Sequence, residues 1–261
     1  MSSIPFTKAQ ACGNDFLLIE GKHAPKDLKA FAVRICDRHA GIGADGLEWI
    51  FPDPKADARA RLFNADGSEA EISGNGTRCV AAYLVSQKRQ EILTVRTGAG
   101  IKTCRLIRHE GHHFEFETAM GEPQPGDAFS IKMAFGEQLG IPVSMGNPHF
   151  VVFVDEFAPG WQAEASEIEH HHDFKFGTNV ELVRVVNKGE IDIVIFERGV
   201  GETRSSGTGS CAAAVAAIAS GRAGSPVRVK SPGGEQTVRW DGEVFLTGPA
   251  EIVGRGEFFI G

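Results

Sequence analysis

The chain is 261 residues long, more than one hydrophobic core usually holds, so two domains of roughly 100 to 150 residues each are expected. With 42% hydrophobic residues, 23% charged residues and a net charge of −7 spread along its length, it has an ordinary globular composition and lacks the basic balance of a nucleic-acid partner. No apolar run approaches the roughly 20 residues of a membrane span, MSSIPFTKAQ lacks the regions of a signal peptide, and the five cysteines show no CxxC spacing. Reduced thiols, a cytoplasmic location, no membrane partner, no zinc site and no disulfide framework are therefore expected.

In chain order, alternation predicts a strand over 4–8, and an apolar run predicts a buried strand over 16–19, with Gly13-Asn14 turning between them. Leu28, Phe31, Ala32 and Ile35 fall at helical spacing behind Asp27, an N-cap residue type, which predicts a helix over 27–38. The glycine-rich loop 39–46 that follows is no dinucleotide fingerprint, because that motif needs a strand before it and a helix after it. Strands are predicted at 47–51 and 59–63, a helix after Ser73, and strands at 92–96, 101–107 and 113–117. Segment 121–127 holds two prolines and two glycines and is the predicted linker between an N-terminal domain, 1–120, and a C-terminal domain, 121–249.

The second domain is predicted to repeat the plan, with strands at 129–133, 149–154, 180–186 and 190–196 and a helix near 162–169. A further helix follows Ser206, and strands are predicted at 227–230, 236–240 and 244–247. Residues 257–260 form a surplus strand that returns to the first sheet, so that 250–261 completes the N-terminal domain. His170, His171 and His172 are read as a solvated loop, since adjacent side chains do not converge on one ion unaided.

Two stretches share one design. Residues 63–82, FNADGSEAEISGNGTRCVAA, and 196–214, FERGVGETRSSGTGSCAAA, each run from a strand-ending Phe through a polar turn into Ser-Gly-X-Gly and an alanine-rich helix. Phe63 and Phe196, Ser73 and Ser206, and Asn14 and Asn147 are all 133 residues apart, which identifies an internal duplication.

The turns Gly74-Asn75-Gly76 and Gly207-Thr208-Gly209 open helices whose first N–H groups lack internal partners, so each is a ready anion site. Neither is a phosphate loop, because no Lys follows the last glycine, and a carboxylate ligand is the better match. A serine there also serves simply as an N-cap. A pseudo-twofold pair of such N-termini would bracket a small molecule, taking a proton from one face and delivering one to the other. Arg198 suits bidentate carboxylate binding, with a surface ion pair as the alternative. Asn14, Asn147 and Asn179 suit an amino or carboxyl group, with turn formation as theirs. His149 is the side chain that titrates nearest neutrality.

Taken together, GNDF (13–16), DRHAGIGADG (37–46), FNADGSEA (63–70), GNGTRC (74–79), MGNPHF (145–150), GTNVE (177–181), ERGVGET (197–203) and GTGSCAAA (207–214) resemble the diaminopimelate epimerase family. The resemblance implies an α+β protein of two pseudo-symmetric domains, each a barrel-like, mostly antiparallel sheet around a central helix. It implies a cofactor-free epimerase whose small amino-acid substrate lies between the halves; a homodimer is compatible with the sequence, which does not select an oligomeric state. Substrate contacts fall on Asn14, Asn64, Asn147, Asn179, Glu197 and Arg198, with carboxylate binding at Gly74, Asn75, Gly207 and Thr208.

The two catalytic cysteines of that family precede these glycines, and here the positions hold Ser73 and Ser206. Cys79 and Cys211 lie deeper in the helices and are read as core residues. A hydroxyl is a far weaker acid than a thiol, so the serines need activation by His149, Glu197 or a neighbouring carboxylate. The expected reaction is the interconversion of LL- and meso-diaminopimelate in lysine and peptidoglycan precursor synthesis. The alternatives are a related isomerase or dehydratase, or an amino-acid-binding protein. Engineered Cys→Ser changes would also explain the serines, but Gln10 and Lys175, where the family usually has His and often has Pro, favour a divergent natural branch.

Overall fold

The computed structural model describes residues 2–134 and 136–260. Its contacts define two compact units, one from the chain up to Thr118 together with the segment from Gly248 onward, the other from Ala119–Thr247.

In the first unit, β1 (Ser2–Ala11), β2 (Asn14–Glu20), β3 (Gly46–Phe51), β4 (Ala58–Asn64) and the short β5 (Glu69–Ala70) precede β6 (Ile92–Thr97), β7 (Gly100–Glu110) and β8 (His113–Gly121). The chain's final strand, Glu243–Ile260, pairs with both β1 and β8. It thereby closes the order β1-β2-β3-β4-β6-β7-β8 into an eight-stranded ring, in which β2–β3 and β4–β6 are parallel pairs. Helix α1 (Leu28–Cys36) starts at Asp27, whose Oδ1 accepts from Ala30 N at 3.0 Å. Helix α2 (Gly74–Gln87) packs Cys79, Val80, Ala81, Ala82 and Val85 against Phe16, Leu18, Leu62, Leu93 and Phe116. Its small residues follow from having strands on several sides at once, where a larger side chain would not fit.

Odd-numbered residues of the same strands, Leu17, Ile19, Leu47 and Trp49, pack instead against Phe31, Ala32 and Ile35 of α1. With a helix on each face, β2 and β3 are apolar on both sides, which is why 16–19 reads as an unbroken hydrophobic run.

The second unit repeats this arrangement. It contains β9 (Gln124–Pro125), β10 (Phe129–Met133), β11 (Gly136–Ser144), β12 (Pro148–Phe153), β13 (Asn179–Asn187), β14 (Glu190–Glu197), β15 (Gly201–Thr203), β16 (Val227–Ser231), β17 (Gly234–Asp241) and the start of the final strand, β18. Helix α4 (Gly207–Ala219) packs Cys211 through Ala217 against Val151, Val183, Ile193 and Ile195, while α3 (Trp161–Glu169) covers Val180 and Leu182 on the other face. The duplication extends to hydrogen-bond register: Phe16 stands opposite Gly46 as His149 stands opposite Asn179, and Leu47 opposite Phe63 as Val180 opposite Phe196.

Four features differ from the sequence reading. Gly136, Gly140 and Pro142 hide β11, an unpredicted strand, and Gly248, Pro249, Gly254 and Gly256 hide the continuity of β18. In the predicted linker, Gln124 and Pro125 pair with Ser144 and Val143, a two-residue edge contact that tolerates proline. His171 is buried; its Nε2 donates to the Lys132 carbonyl at 3.0 Å and its Nδ1 accepts from Asp173 N at 3.3 Å. His171, His172 and Asp173 come close together, but both His171 nitrogens are already committed. Cys79 and Cys211 are core residues, as read. No helix among the described residues is long and apolar enough to cross a membrane.

Trp49 lies fully buried against Phe31, and its Nε1 has no partner among the described residues. Trp49→Ala is expected to cost about 4 kcal/mol by opening a cavity. Trp49→Phe, which also removes the orphaned donor, is expected to cost less than about 2 kcal/mol. Urea denaturation of both variants checks the difference.

Candidate active site

Each Ser-Gly-X-Gly turn is built from one N-cap serine and one glycine. Ser73 and Ser206 hold extended backbone angles, and each side-chain oxygen accepts from an N–H in the first turn: Ser73 Oγ from Gly76 N at 3.1 Å, Ser206 Oγ from Gly209 N at 3.2 Å. Each serine therefore caps its helix. That bond uses the oxygen as acceptor and leaves the hydroxyl proton free to go elsewhere.

Beneath the turns lie two residues that the sequence reading missed, Glu48 on β3 and Glu181 on β13. Glu48 is 3% exposed and Glu181 is fully buried. They are also 133 residues apart, so the repeat offset would have found them had it been applied to the strands as well as the turns. A side chain at Gly76 would collide with Glu48 Oε1. A Cβ at Gly209 would sit 2.7 Å from Glu181 Oε1 and 3.3 Å from Ser206 Oγ. The second glycine of each motif is thus required by the carboxyl group packed against it.

The glutamates differ in company. Glu181 Oε1 meets His149 Nδ1 at 2.7 Å, and His149 Nε2 donates to Asn147 Oδ1 at 3.1 Å. Asn147 Nδ2 donates to Thr208 Oγ1 at 3.3 Å, and Thr208 Oγ1 lies 3.5 Å from Ser206 Oγ. Burial pushes the Glu181 carboxyl up and the His149 contact pulls it part of the way back, so the pair holds an exchangeable proton. Glu48 has no such partner: Phe16 occupies the position equivalent to His149, and Glu48 Oε2 is buried without a hydrogen bond among the described residues. Burial alone pushes Glu48 up to about 8.

The remaining sequence-selected residues fall into place within each unit. Asn75 Nδ2 donates to Asn14 Oδ1 at 3.3 Å, and Asn14 Nδ2 donates to Asp45 Oδ2 at 2.8 Å. Arg78, fully buried, donates to Asn75 Oδ1 at 2.6 Å and to the Gly74 and Pro249 carbonyls. Asp45 is anchored through Arg38, which also binds Asp15. Burial pushes Asp15 up, but hydrogen bonds from Arg38 and Lys8 outweigh it and hold the carboxyl at about 2. Asn64 closes its turn onto Ser68.

In the second unit Asn179 Oδ1 accepts from Arg198 N and Asn179 Nδ2 donates to the Pro148 carbonyl. Glu197 Oε1 accepts from Thr203 Oγ1 at 2.7 Å. The Arg198 guanidinium donates to the Phe176 carbonyl at 3.3 Å and forms no ion pair among the described residues, so its bidentate edge is not committed to a carboxylate among them. His149 has a fully buried side chain and contacts Glu181 and Asn147 through its two ring nitrogens.

The sequence profile of the diaminopimelate epimerase family matches residues 6–125 and 141–253. A protein of Pelotomaculum thermopropionicum named diaminopimelate epimerase is 41% identical over 97% of this chain and 98% of its own length. One of Bacillus licheniformis with the same name is 37% identical over the whole of both. Among solved structures, a hydroxyproline epimerase from Agrobacterium vitis with bound trans-4-hydroxy-L-proline superposes with a TM-score of 0.79 at 17% identity, covering 98% of this chain and 92% of that one. A Bacillus anthracis phenazine biosynthesis protein of the PhzF family gives 0.77 at 17% identity over all of both chains. At such identities these two structures bear on the fold alone.

The raised Glu48 carboxyl links folding to pH. Between pH 4.5, its ordinary value, and about 8, folded chains retain a Glu48 proton that unfolded chains have lost, so stability falls as pH rises through this window. The slope from this group is at most about 1.4 kcal/mol per pH unit. Urea midpoints at pH 5, 6, 7 and 8 are expected to show Glu48→Gln gaining steadily on the parent; a constant difference would mean that the carboxyl is not held protonated.

Proposed function

Because the chain belongs to the diaminopimelate epimerase family, we propose that it inverts an α-amino-acid centre without a cofactor, with diaminopimelate as the substrate and Ser73 and Ser206 as its two acid/base groups. The observation that carries this reading is the matched construction of the two turns, each with a serine oxygen held at a helix N-terminus over a buried carboxyl group.

The substrate carboxylate would be held by the first-turn N–H groups of Gly74, Asn75, Gly207 and Thr208 and by the uncommitted edge of Arg198. Asn14, Asn64, Asn147 and Asn179 would supply polar contacts, and Glu197 would receive the ammonium group. One serine, starting as the alkoxide after releasing its own proton to solvent, takes the Cα proton as the C–H bond breaks, the electron pair delocalising toward the bound carboxylate. The other serine gives its proton to the opposite face of the carbanion, and the two exchange roles in the reverse direction. Helix N–H groups stabilise negative charge on a serine oxygen as it forms, and the Glu181–His149 pair supplies a nearby exchangeable proton on the Ser206 side. A cytoplasmic location follows from this reading of the chain as a biosynthetic enzyme.

Proton NMR of LL- and meso-diaminopimelate in D₂O with stoichiometric protein is expected to show loss of the Cα proton signal. Ser73→Cys combined with Ser206→Cys is expected to speed that loss at least about 100-fold, because a thiol at a helix N-terminus ionises far more readily than a hydroxyl. No exchange in either protein would sink the epimerase reading and favour amino-acid binding, while a new vinylic or keto product would favour the dehydratase.

A further inference from the structure

On the face of the first unit's sheet that packs against α2, Glu48 stands in register between Leu18 of β2 and Leu62 of β4. An apolar residue would fill this position at no cost, whereas a carboxyl group there loses its hydration and keeps an oxygen without a partner. Its other oxygen lies against Gly76, the residue whose N–H binds Ser73 Oγ. In the second unit the equivalent Glu181, flanked by Val151 and Ile195, shares its charge with His149. Glu48 lies against the first turn of α2 instead.

We propose that Glu48 is a positioning residue for the Ser73 half of the reaction: packed under Gly76, its carboxyl group governs by its own charge whether the α2 turn can hold negative charge, on the Ser73 oxygen and on a bound carboxylate alike. This rests on Ser73 being an acid/base group. With the carboxyl protonated, the helix N-terminus offers its full positive field. With it ionised, a negative charge in a low-dielectric layer opposes both the anionic serine oxygen and the anionic ligand. Burial, which pushes the Glu48 carboxyl up to about 8, places this change at mildly alkaline pH. The two serines are then unequal: Ser206 is served by a proton-sharing pair, Ser73 by a lone acid that must stay protonated.

The charged and titratable groups that share the surroundings of the Cys79 thiol with Glu48 are Arg78 of α2, Cys12 in the β1–β2 turn and Asp15 of β2, while Glu20, at the end of β2, is engaged with Tyr83. Burial pushes the Cys79 thiol far above its ordinary range, and hydrogen bonds from Lys22 and Tyr83 hold Glu20 below its own. Arg78 is engaged with Asn75, Gly74 and Pro249.

The test compares the parent with Glu48→Gln, which keeps the shape and cannot ionise, and with Glu48→Leu, which removes the polar atoms. Cα exchange of diaminopimelate in D₂O is measured from pH 6.5 to 9.5. In the parent the rate is expected to fall at least tenfold across a midpoint near 8, and in both variants this alkaline limb is expected to disappear. An unchanged limb in the variants overturns the proposal, as does a folded Glu48→Gln protein whose rate falls 100-fold at pH 6.5, because the carboxylate itself would then be the required base. If no protein exchanges the Cα proton, the proposed reaction has failed and the electrostatic claim is read separately from the amide shifts of Ser73, Asn75 and Gly76. A titration midpoint near 8 in the parent that is absent in Glu48→Gln upholds the coupling, and identical titrations overturn it.

Discussion

In each unit a glutamate on the sheet is buried against a glycine in the first turn of the central helix. That contact constrains the start of each central helix. It demands a residue without Cβ at Gly76 and Gly209, brings the helix N-terminus down onto the strands and sets the height of the capping serine above a carboxyl group. Taking a carboxylate out of water costs several kcal/mol unless it is neutralised or paired. The two units meet that cost differently, Glu181 by pairing with His149 and Glu48 by holding its proton. A duplicated scaffold has thus been given two unlike electrostatic environments.

The alanine-rich character of α2 and α4 belongs to the same constraint. A helix with strands on several sides has almost no solvent face, so its side chains must be small, and Cys79 and Cys211 are buried there as small apolar groups. Polar groups are consequently left to the helix N-terminus, where first-turn N–H groups lack intrahelical partners and the capping serine supplies a side-chain oxygen.

Much of this was legible in the sequence. The offset between Ser73 and Ser206 exposed the duplication, and the helices at Asp27, Ser73 and Ser206 announced themselves through caps and spacing. Strand β11 and the continuity of β18 between 244–247 and 257–260 were not legible, because the glycines and prolines they carry signal turns locally and their strand character comes from partners distant in sequence. Glu48 was missed for a different reason. In a strand that is apolar on both faces, GLEWIF, a lone glutamate reads as a surface residue, and only the paired registers of Leu18 and Leu62 show that it points into the core. The buried contact of His149 with Glu181 was hidden for the same reason, since nothing local marks Glu181 as facing the core.

The central claim is that two different groups, one from each half of the duplication, handle the proton on the two faces of one carbon. Deuterium labelling of a single stereoisomer tests this most directly. LL-diaminopimelate is incubated with the protein in D₂O, and both isomers are isolated after partial conversion. The account predicts deuterium at the inverted Cα of the meso product while the remaining LL substrate still carries protium, since the group that removes one proton is not the group that returns the other. Deuterium accumulating equally in the recovered substrate and the product would show a single base serving both faces and would contradict it.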